Sequence, residues 1–164
     1  MNLKNIEITS KKIIELIFNL IIIVLFSNPL LLIIYTRFLG INLQNLITMN
    51  PYWNILFIKS FVTPFIGFYI MQLKEQLIND GEVETVVLYL FFVAIGLLIM
   101  ENLTFSIFVL ILISYLFYQR KIRVEGICHY IKNTKFSVKD WLAPIGLLAI
   151  ATLIRIMLIL VSNS

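Results

Sequence analysis

The chain has 164 residues, of which 60% are apolar and 13% are charged, and its formal net charge is +4. This balance excludes a soluble globular domain, and the charges are separated by apolar runs long enough to span a bilayer. Because the basic residues flank these runs, anionic lipid headgroups are favoured over nucleic acid as their partner. The single Cys128 and the single His129 exclude an intramolecular disulfide and a zinc site, so no metal or cofactor is predicted.

The first predicted element is a membrane span over residues 13–36, preceded by a basic flank. We predict that it is not cleaved, because the apolar run exceeds a signal-peptide core and lacks a small-x-small cleavage site. Pro29 predicts a kink near its middle, and Ser27 or Asn28 is expected to satisfy the backbone carbonyl that the proline frees.

The second predicted span covers residues 52–73 and carries small residues on one face. Small side chains allow another helix to approach closely, so this face and a similar stripe on the third span predict helix packing. Lys59 borders the small-residue face and is the first charge in a span that local pairing does not explain, unlike Glu15 near the start of the first span. The positions predicted to pack against other helices are Ser60, Thr63, Gly67 and Gly96.

The longest apolar stretch, residues 84–118, is interrupted once, at Glu101 and Asn102. As one helix it would be about 50 Å long, far more than the bilayer core of roughly 30 Å. The pattern therefore predicts two short antiparallel spans, 85–100 and 103–118, with the two polar residues at the outer tip of the hairpin.

The segment 119–139 combines basic residues with apolar residues at helical spacing, which predicts a short amphipathic helix in the headgroup layer. The last predicted span covers residues 142–161 and carries Arg155 in its second half. The basic residues expected to contact lipid headgroups are Arg120, Lys121, Arg123 and Lys132.

Together these elements predict an all-α polytopic membrane protein, a five-span helical bundle forming one integral membrane domain over residues 1–164. An N-terminus in the cytoplasm and a C-terminus outside place nearly all basic segments on the cytoplasmic side, as the positive-inside rule requires. A single crossing over 84–118 would put the most basic loop outside. The abundance of Ile, Asn and Lys favours a bacterial cytoplasmic membrane as the location.

Four charged residues are predicted to share the outer third of the membrane: Lys59, Arg155, Glu101 and Arg37. Charges within a span usually face a partner or a wet cavity. Three interpretations stay open at this point. In the first, the side chains of the cations extend to the outer headgroups. In the second, Glu101 forms a structural ion pair with Lys59 or Arg155. In the third, the four charged residues form a basic pocket. Such a pocket would take an anionic headgroup, a peptide carboxylate or an acidic residue of another membrane protein.

No convincing nucleophile and base pair, phosphate loop or metal-ligand cluster occurs in the sequence, so we predict that the protein is not an enzyme. The favoured function is a binding or accessory component: a subunit of a membrane transport or secretion complex, or an immunity-type protein against a membrane-active peptide. Its expected partners are membrane lipid and another membrane protein or such a peptide, and homo-oligomerisation stays open.

The alternative function is a small oligomeric transporter or channel that carries an anionic or amphiphilic solute past Lys59 and Arg155. A lipid-modifying enzyme is a third hypothesis, and it would need Glu101 or His129 as an acid or base. The predicted topology places these two side chains on opposite sides of the membrane, which weighs against that hypothesis.

Overall fold

The computed structural model of the protein describes residues 3–40, 51–79, 82–120, 122, 127 and 138–162. These residues form helices and turns and contain no strand, which confirms the predicted all-helical fold. The described residues form five helices: α1 (Leu3–Phe38), α2 (Pro51–Ile78), α3 (Val83–Ile99), α4 (Leu103–Arg120) and α5 (Val138–Ser162).

Four helical stretches are long and apolar enough to cross a membrane, namely Lys11–Phe38, Pro51–Ile78, Leu103–Arg120 and Trp141–Ser162. The fifth apolar helix, Val83–Ile99, is shorter. All five coincide with the predicted spans to within a few residues, apart from the longer N-terminal part of α1 and the longer C-terminal part of α2.

Most of the predicted amphipathic helix in the segment 119–139 lies outside the described residues, including its basic residues Lys121, Arg123 and Lys132. Arg120 is exposed at the end of α4. Ile127, which is described, is only 7% exposed.

The contacts between helices establish their relative directions. Helices α1 and α2 are antiparallel, because Asn28 contacts Thr63 while the earlier Asn19 contacts the later Lys74. Helices α3 and α4 form an antiparallel hairpin, in which the Ser106 hydroxyl donates a hydrogen bond to the Ala94 carbonyl at 3.0 Å. The helices α1 and α2 therefore form one antiparallel hairpin, and α3 and α4 form the next.

Helix α5 is parallel to α3. The ring of Phe92 contacts the ring of Trp141 edge to face, with centroids 5.4 Å apart, and Glu101 pairs with Arg155 further along both helices. Between these contacts, Leu147 packs directly over Gly96, whose missing side chain leaves room for it.

Helix α3 is the centre of the bundle, since it packs against α2, α4 and α5. Its fully buried positions follow helical spacing and form one stripe about 120° wide: Val86, Val87, Leu90, Val93, Ala94 and Leu97. Helix α1 packs against α2 and α4 on one side of this centre, and α5 packs against α2 and α3 on the other. The short helix is thus buried on one side by other helices of the same chain, whereas Ile95 and Leu98 on its other side are 45% and 44% exposed.

At one end of the bundle, α1, α2 and α5 extend beyond the hairpin of α3 and α4. We call this end the tip end; it carries Phe38, Pro51 and Ser162. Met100, just after α3, lines one space together with residues of α2 from Val62 to Gln72. From Val62, α2 continues by about 16 Å of helical rise to its first residue. By the same measure α5 continues by about 10 Å beyond Arg155.

Glu101 lies in the turn between α3 and α4, where the sequence predicted the tip of a hairpin. The helix before it, α3, has only 17 residues, against 28 in α2.

Candidate functional site

The turn between α3 and α4, residues 100–102, is called the tip. The backbone N–H of Glu101 donates to the Leu98 carbonyl at 2.9 Å, and that of Asn102 donates to the Leu97 carbonyl at 2.8 Å. These two bonds form a Schellman motif, which ends a helix and satisfies its last carbonyls. Glu101 occupies the left-handed position of the motif, with φ of 58°. Glycine is usual there, because a side chain costs about 1–2 kcal/mol in this conformation.

The carboxylate of Glu101 forms an ion pair with the guanidinium of Arg155 in α5. The two side chains are 50% and 41% exposed, respectively. This contact joins the tip to α5, and it is the structural ion pair that the sequence analysis left open as one of three interpretations. A carboxylate in a strained backbone position, held by a cation from another helix, suggests that the side chain of Glu101 has a role that glycine could not fill.

The other two cations of the predicted site are placed differently. Lys59 is partly buried in α2, about 12 Å of helical rise from the start of that helix, and Arg37 is exposed at the end of α1. Within the described part of the chain, neither side chain lies within ion-pair distance of a carboxylate. Lys59 is therefore a cation that no described carboxylate pairs with, and it lies below the tip end of the bundle.

Two prolines lie at the same level in neighbouring helices. Pro29 cannot donate to the carbonyl of Leu25, and Pro64 cannot donate to the carbonyl of Ser60. The hydroxyl of Thr63 lies 3.3 Å from the Leu25 oxygen and 2.8 Å from the Ser60 oxygen. The single hydroxyl proton of one buried threonine in α2 is thus shared between the two carbonyls that the prolines free, and the shorter distance favours the Ser60 oxygen.

The side-chain amide of Asn28 donates to the Thr63 hydroxyl oxygen at 3.0 Å and completes this arrangement. Ser27, which the sequence analysis considered for the freed carbonyl of α1, instead donates to the Val24 carbonyl at 2.9 Å. The correct donor comes from the neighbouring helix. We call the contact formed by Asn28, Pro29, Thr63 and Pro64 the proline seam.

On the opposite side of α2 lies an apolar cleft between α2 and α5, with a volume of about 320 Å³. Met100 contributes from the tip, and the cleft extends from the level of Val62 to that of Gln72, about 15 Å along α2. It opens sideways, since the lining residues Phe65 and Leu142 are 76% and 70% exposed. We call this space the α2–α5 cleft.

Three glycines within the helices differ in what occupies the space beside them. A Cβ added to Gly67 would lie 3.1 Å from the ring of Phe26, and one added to Gly96 would meet Leu147. One added to Gly146, which lines the cleft, would have no atom of the described chain within 4 Å. Close helix contacts thus explain Gly67 and Gly96, whereas Gly146 faces open space.

The structure brings together Glu101 and Arg155 and separates them from Arg37, which lies at the exposed end of α1. The predicted packing residues Ser60, Thr63, Gly67 and Gly96 are buried. Sequence reasoning missed the α2–α5 cleft, because it depends on the spacing between helices that are far apart in the chain. The available signal was Gly146 within an otherwise apolar helix.

In the described residues, no three His, Cys, Asp or Glu side chains are grouped closely enough to hold a metal ion. No family model, no curated protein and no solved structure matches the chain.

Proposed function

We propose that the protein is a non-catalytic integral membrane protein of five crossings that acts as a binding component, with the α2–α5 cleft as its binding surface. Four apolar helices of sufficient length support insertion into a membrane. We take the short α3 as the fifth crossing because α2, α4 and α5 pack against it and bury one of its sides, so it depends less on contact with lipid. The alternating directions of α1 to α4 and the parallel pair of α3 and α5 agree with five crossings.

The proposed orientation places the tip end outside a bacterial cytoplasmic membrane. Lys11, Lys12, Lys74 and Arg120 then lie on the cytoplasmic side, and among the described cations at the helix ends only Arg37 lies outside. This distribution follows the positive-inside tendency.

The observation that carries the proposal is the sideways opening of the cleft. An apolar groove at membrane depth is in contact with lipid chains, which are as apolar as leucine and present in large excess. The cleft runs about 15 Å along the middle of α2, which is half the thickness of a hydrocarbon core of roughly 30 Å. Its volume also lies within the range of small-molecule sites. We therefore assign the cleft to one acyl chain of a membrane lipid.

A protein that holds a lipid in this way suits an accessory role. It can stabilise or regulate a transport or secretion complex, or compete with a membrane-active peptide for its place in the membrane, as an immunity-type protein would.

The test is native mass spectrometry of the protein released from lipid nanodiscs. The wild-type chain should retain one lipid, and Gly146→Leu should lose it because the new side chain fills the cleft. The matched control is Ala149→Leu, which adds a comparable side chain at an exposed position of the same helix outside the cleft. Equal retention by all three proteins would overturn the assignment. A second copy of the chain in place of lipid, lost on Gly146→Leu, would assign the cleft to self-association instead.

A second candidate function is the small oligomeric transporter or channel. It is favoured by the depth of the tip, which puts Lys59, Glu101 and Arg155 within the length of the longer helices and not at their ends. The double variant Lys59→Gln with Arg155→Gln should then abolish flux of an anionic dye into liposomes while the helical circular dichroism stays unchanged. Flux that persists in the double variant would remove this candidate.

A further inference from the structure

The α2–α5 cleft has one polar end and one apolar end. Of the described side chains that line it, only those of Tyr69 and Gln72 can donate a hydrogen bond, and these are the last two lining residues of α2. The other described lining residues are apolar, and none of those described is charged. The two donors therefore lie together, at the end of the cleft away from Val62.

The polar end lies at the level where α5 begins. The ring of Tyr69 contacts the ring of Tyr89 in α3, with centroids 6.4 Å apart, and Phe92, less than one turn later in α3, contacts Trp141 of α5. Met100, which also lines the cleft, follows Tyr89 by about 16 Å of helical rise. The cleft therefore extends from the level of Trp141 towards the tip.

The residues around the polar end are typical of a membrane interface. Trp141 is the first residue of the apolar stretch of α5, and tryptophan is enriched where spans meet the headgroups. Lys74 follows Gln72 by two residues, and its ammonium group donates to the Asn19 side chain of α1, away from the cleft. Beyond Ile150, by contrast, the apolar stretch of α5 continues for about 18 Å. One end of the cleft is thus at the membrane surface, and the other is in the hydrocarbon region.

The side chain of Gln72 is available to a ligand. It is exposed, and its amide forms no hydrogen bond with another described residue. In small-molecule sites with apolar walls, a few polar groups fix the orientation of the ligand. A lipid chain that fills the apolar part of the cleft ends, at the surface, in the group that joins it to the rest of the lipid. In a glycerolipid this group is an ester, whose carbonyl oxygen accepts a hydrogen bond.

We propose that the side-chain amide of Gln72 donates a hydrogen bond to the ester carbonyl of a glycerolipid whose acyl chain lies in the α2–α5 cleft. This inference rests on the proposed function, to which it adds the linkage that is recognised and the leaflet. The lipid belongs to the leaflet opposite the tip end, since its ester lies at Gln72 and its chain extends towards Met100. In the proposed orientation this is the cytoplasmic leaflet.

The experiment compares two lipids that differ only in the presence of ester carbonyls. Nanodiscs contain equal amounts of diacyl phosphatidylcholine and its ether-linked dialkyl analogue with chains of the same length, and native mass spectrometry identifies the lipid that the released protein retains. The wild type should retain the ester-linked lipid in preference, by about five-fold, as expected for one hydrogen bond. Gln72→Leu should still retain one lipid but without preference. Gln72→Lys should keep the preference, because its ammonium group also donates.

The matched control is Gln76→Leu, which removes the same amide from an exposed position of α2 one turn beyond the cleft. It should keep the preference of the wild type. A preference that survives in Gln72→Leu would overturn the role of Gln72, as would one that is absent from the wild type. Equal loss in Gln72→Leu and Gln76→Leu would also overturn it, because the effect would then not depend on the cleft.

The outcomes separate this inference from the proposed function. If Gly146→Leu abolishes lipid retention while the wild type retains ester-linked and ether-linked lipid equally, the cleft binds a chain and only the assignment of Gln72 is wrong. If the wild type retains no lipid at all, both are wrong.

Discussion

The two sides of α2 show opposite solutions to the same packing problem. Towards α1, the protein itself compensates for the prolines and for the glycine. Thr63 lies within hydrogen-bond distance of the carbonyls freed by both prolines, and the ring of Phe26 covers Gly67. Towards α5, the glycine has no neighbour and a cleft remains. A filled side indicates a structural contact, and an open side indicates a place for a ligand.

The polar groups do not divide in the same way. Towards α1, Asn28 donates to Thr63 at 3.0 Å and Lys74 donates to the Asn19 side chain at 2.8 Å. One turn before Thr63, however, the buried hydroxyl oxygen of Ser60 has no hydrogen-bond partner among the described residues. The comparison can be tested by substitutions that damage one side and spare the other.

The largest effect is expected at the proline seam. Thr63→Val removes the hydroxyl and leaves two buried carbonyls and the amide of Asn28 without their partner, so the free energy of unfolding should fall by about 2 kcal/mol. It is measured by titration with sodium dodecyl sulfate in mixed micelles. Thr63→Ser keeps the hydroxyl and should lose less. Equal losses for both variants would mean that packing and not hydrogen bonding stabilises the seam.

A smaller effect is expected from alanine at the two glycines of the comparison. Gly146→Ala should raise the free energy of unfolding by about 1 kcal/mol, since alanine favours a helix and nothing occupies the space. Gly67→Ala should gain less or lose stability, because the ring of Phe26 must move. The same detergent titration measures both. If the two variants respond alike, the two sides of α2 do not differ in packing.

The smallest effect is expected at the tip. Glu101→Gln removes the ion pair but keeps a side chain in the left-handed conformation, so it should lose about 0.5 kcal/mol. Glu101→Gly also removes the pair but relieves the backbone, so it should be at least as stable as the wild type. A double-mutant cycle with Arg155→Gln isolates the pair. A glycine variant less stable than the glutamine variant would show that the backbone of Glu101 is not strained.

The helices could be predicted from sequence because hydropathy depends only on neighbouring residues. The interruption at Glu101 and Asn102 was enough to divide one apolar stretch into α3 and α4. The donor for the Leu25 carbonyl could not be predicted, because Thr63 is 38 residues away in the chain. Such a contact is set by how two helices pack, and hydropathy carries no information about that.

The candidate site was predicted in the same partial way. The charges stand out in an apolar sequence, so Lys59, Glu101 and Arg155 could be named. Which of the two cations pairs with Glu101 depends on the heights of α2 and α5 relative to the tip. The absence of a side chain at Gly146 became informative only when the space around it was visible.

The short hairpin has a consequence for the surrounding bilayer. The surface that α4 presents, with Leu103 and Ile107 more than half exposed, is about 27 Å tall, whereas the apolar stretch of α1 is about 42 Å long. In a membrane, the bilayer beside α4 must become thinner, whereas α1 must tilt or the bilayer beside it must become thicker. Each ångström of mismatch costs a fraction of a kcal/mol. The protein therefore imposes a gradient of bilayer thickness across its own width, and elastic strain should draw it towards boundaries between thin and thick membrane.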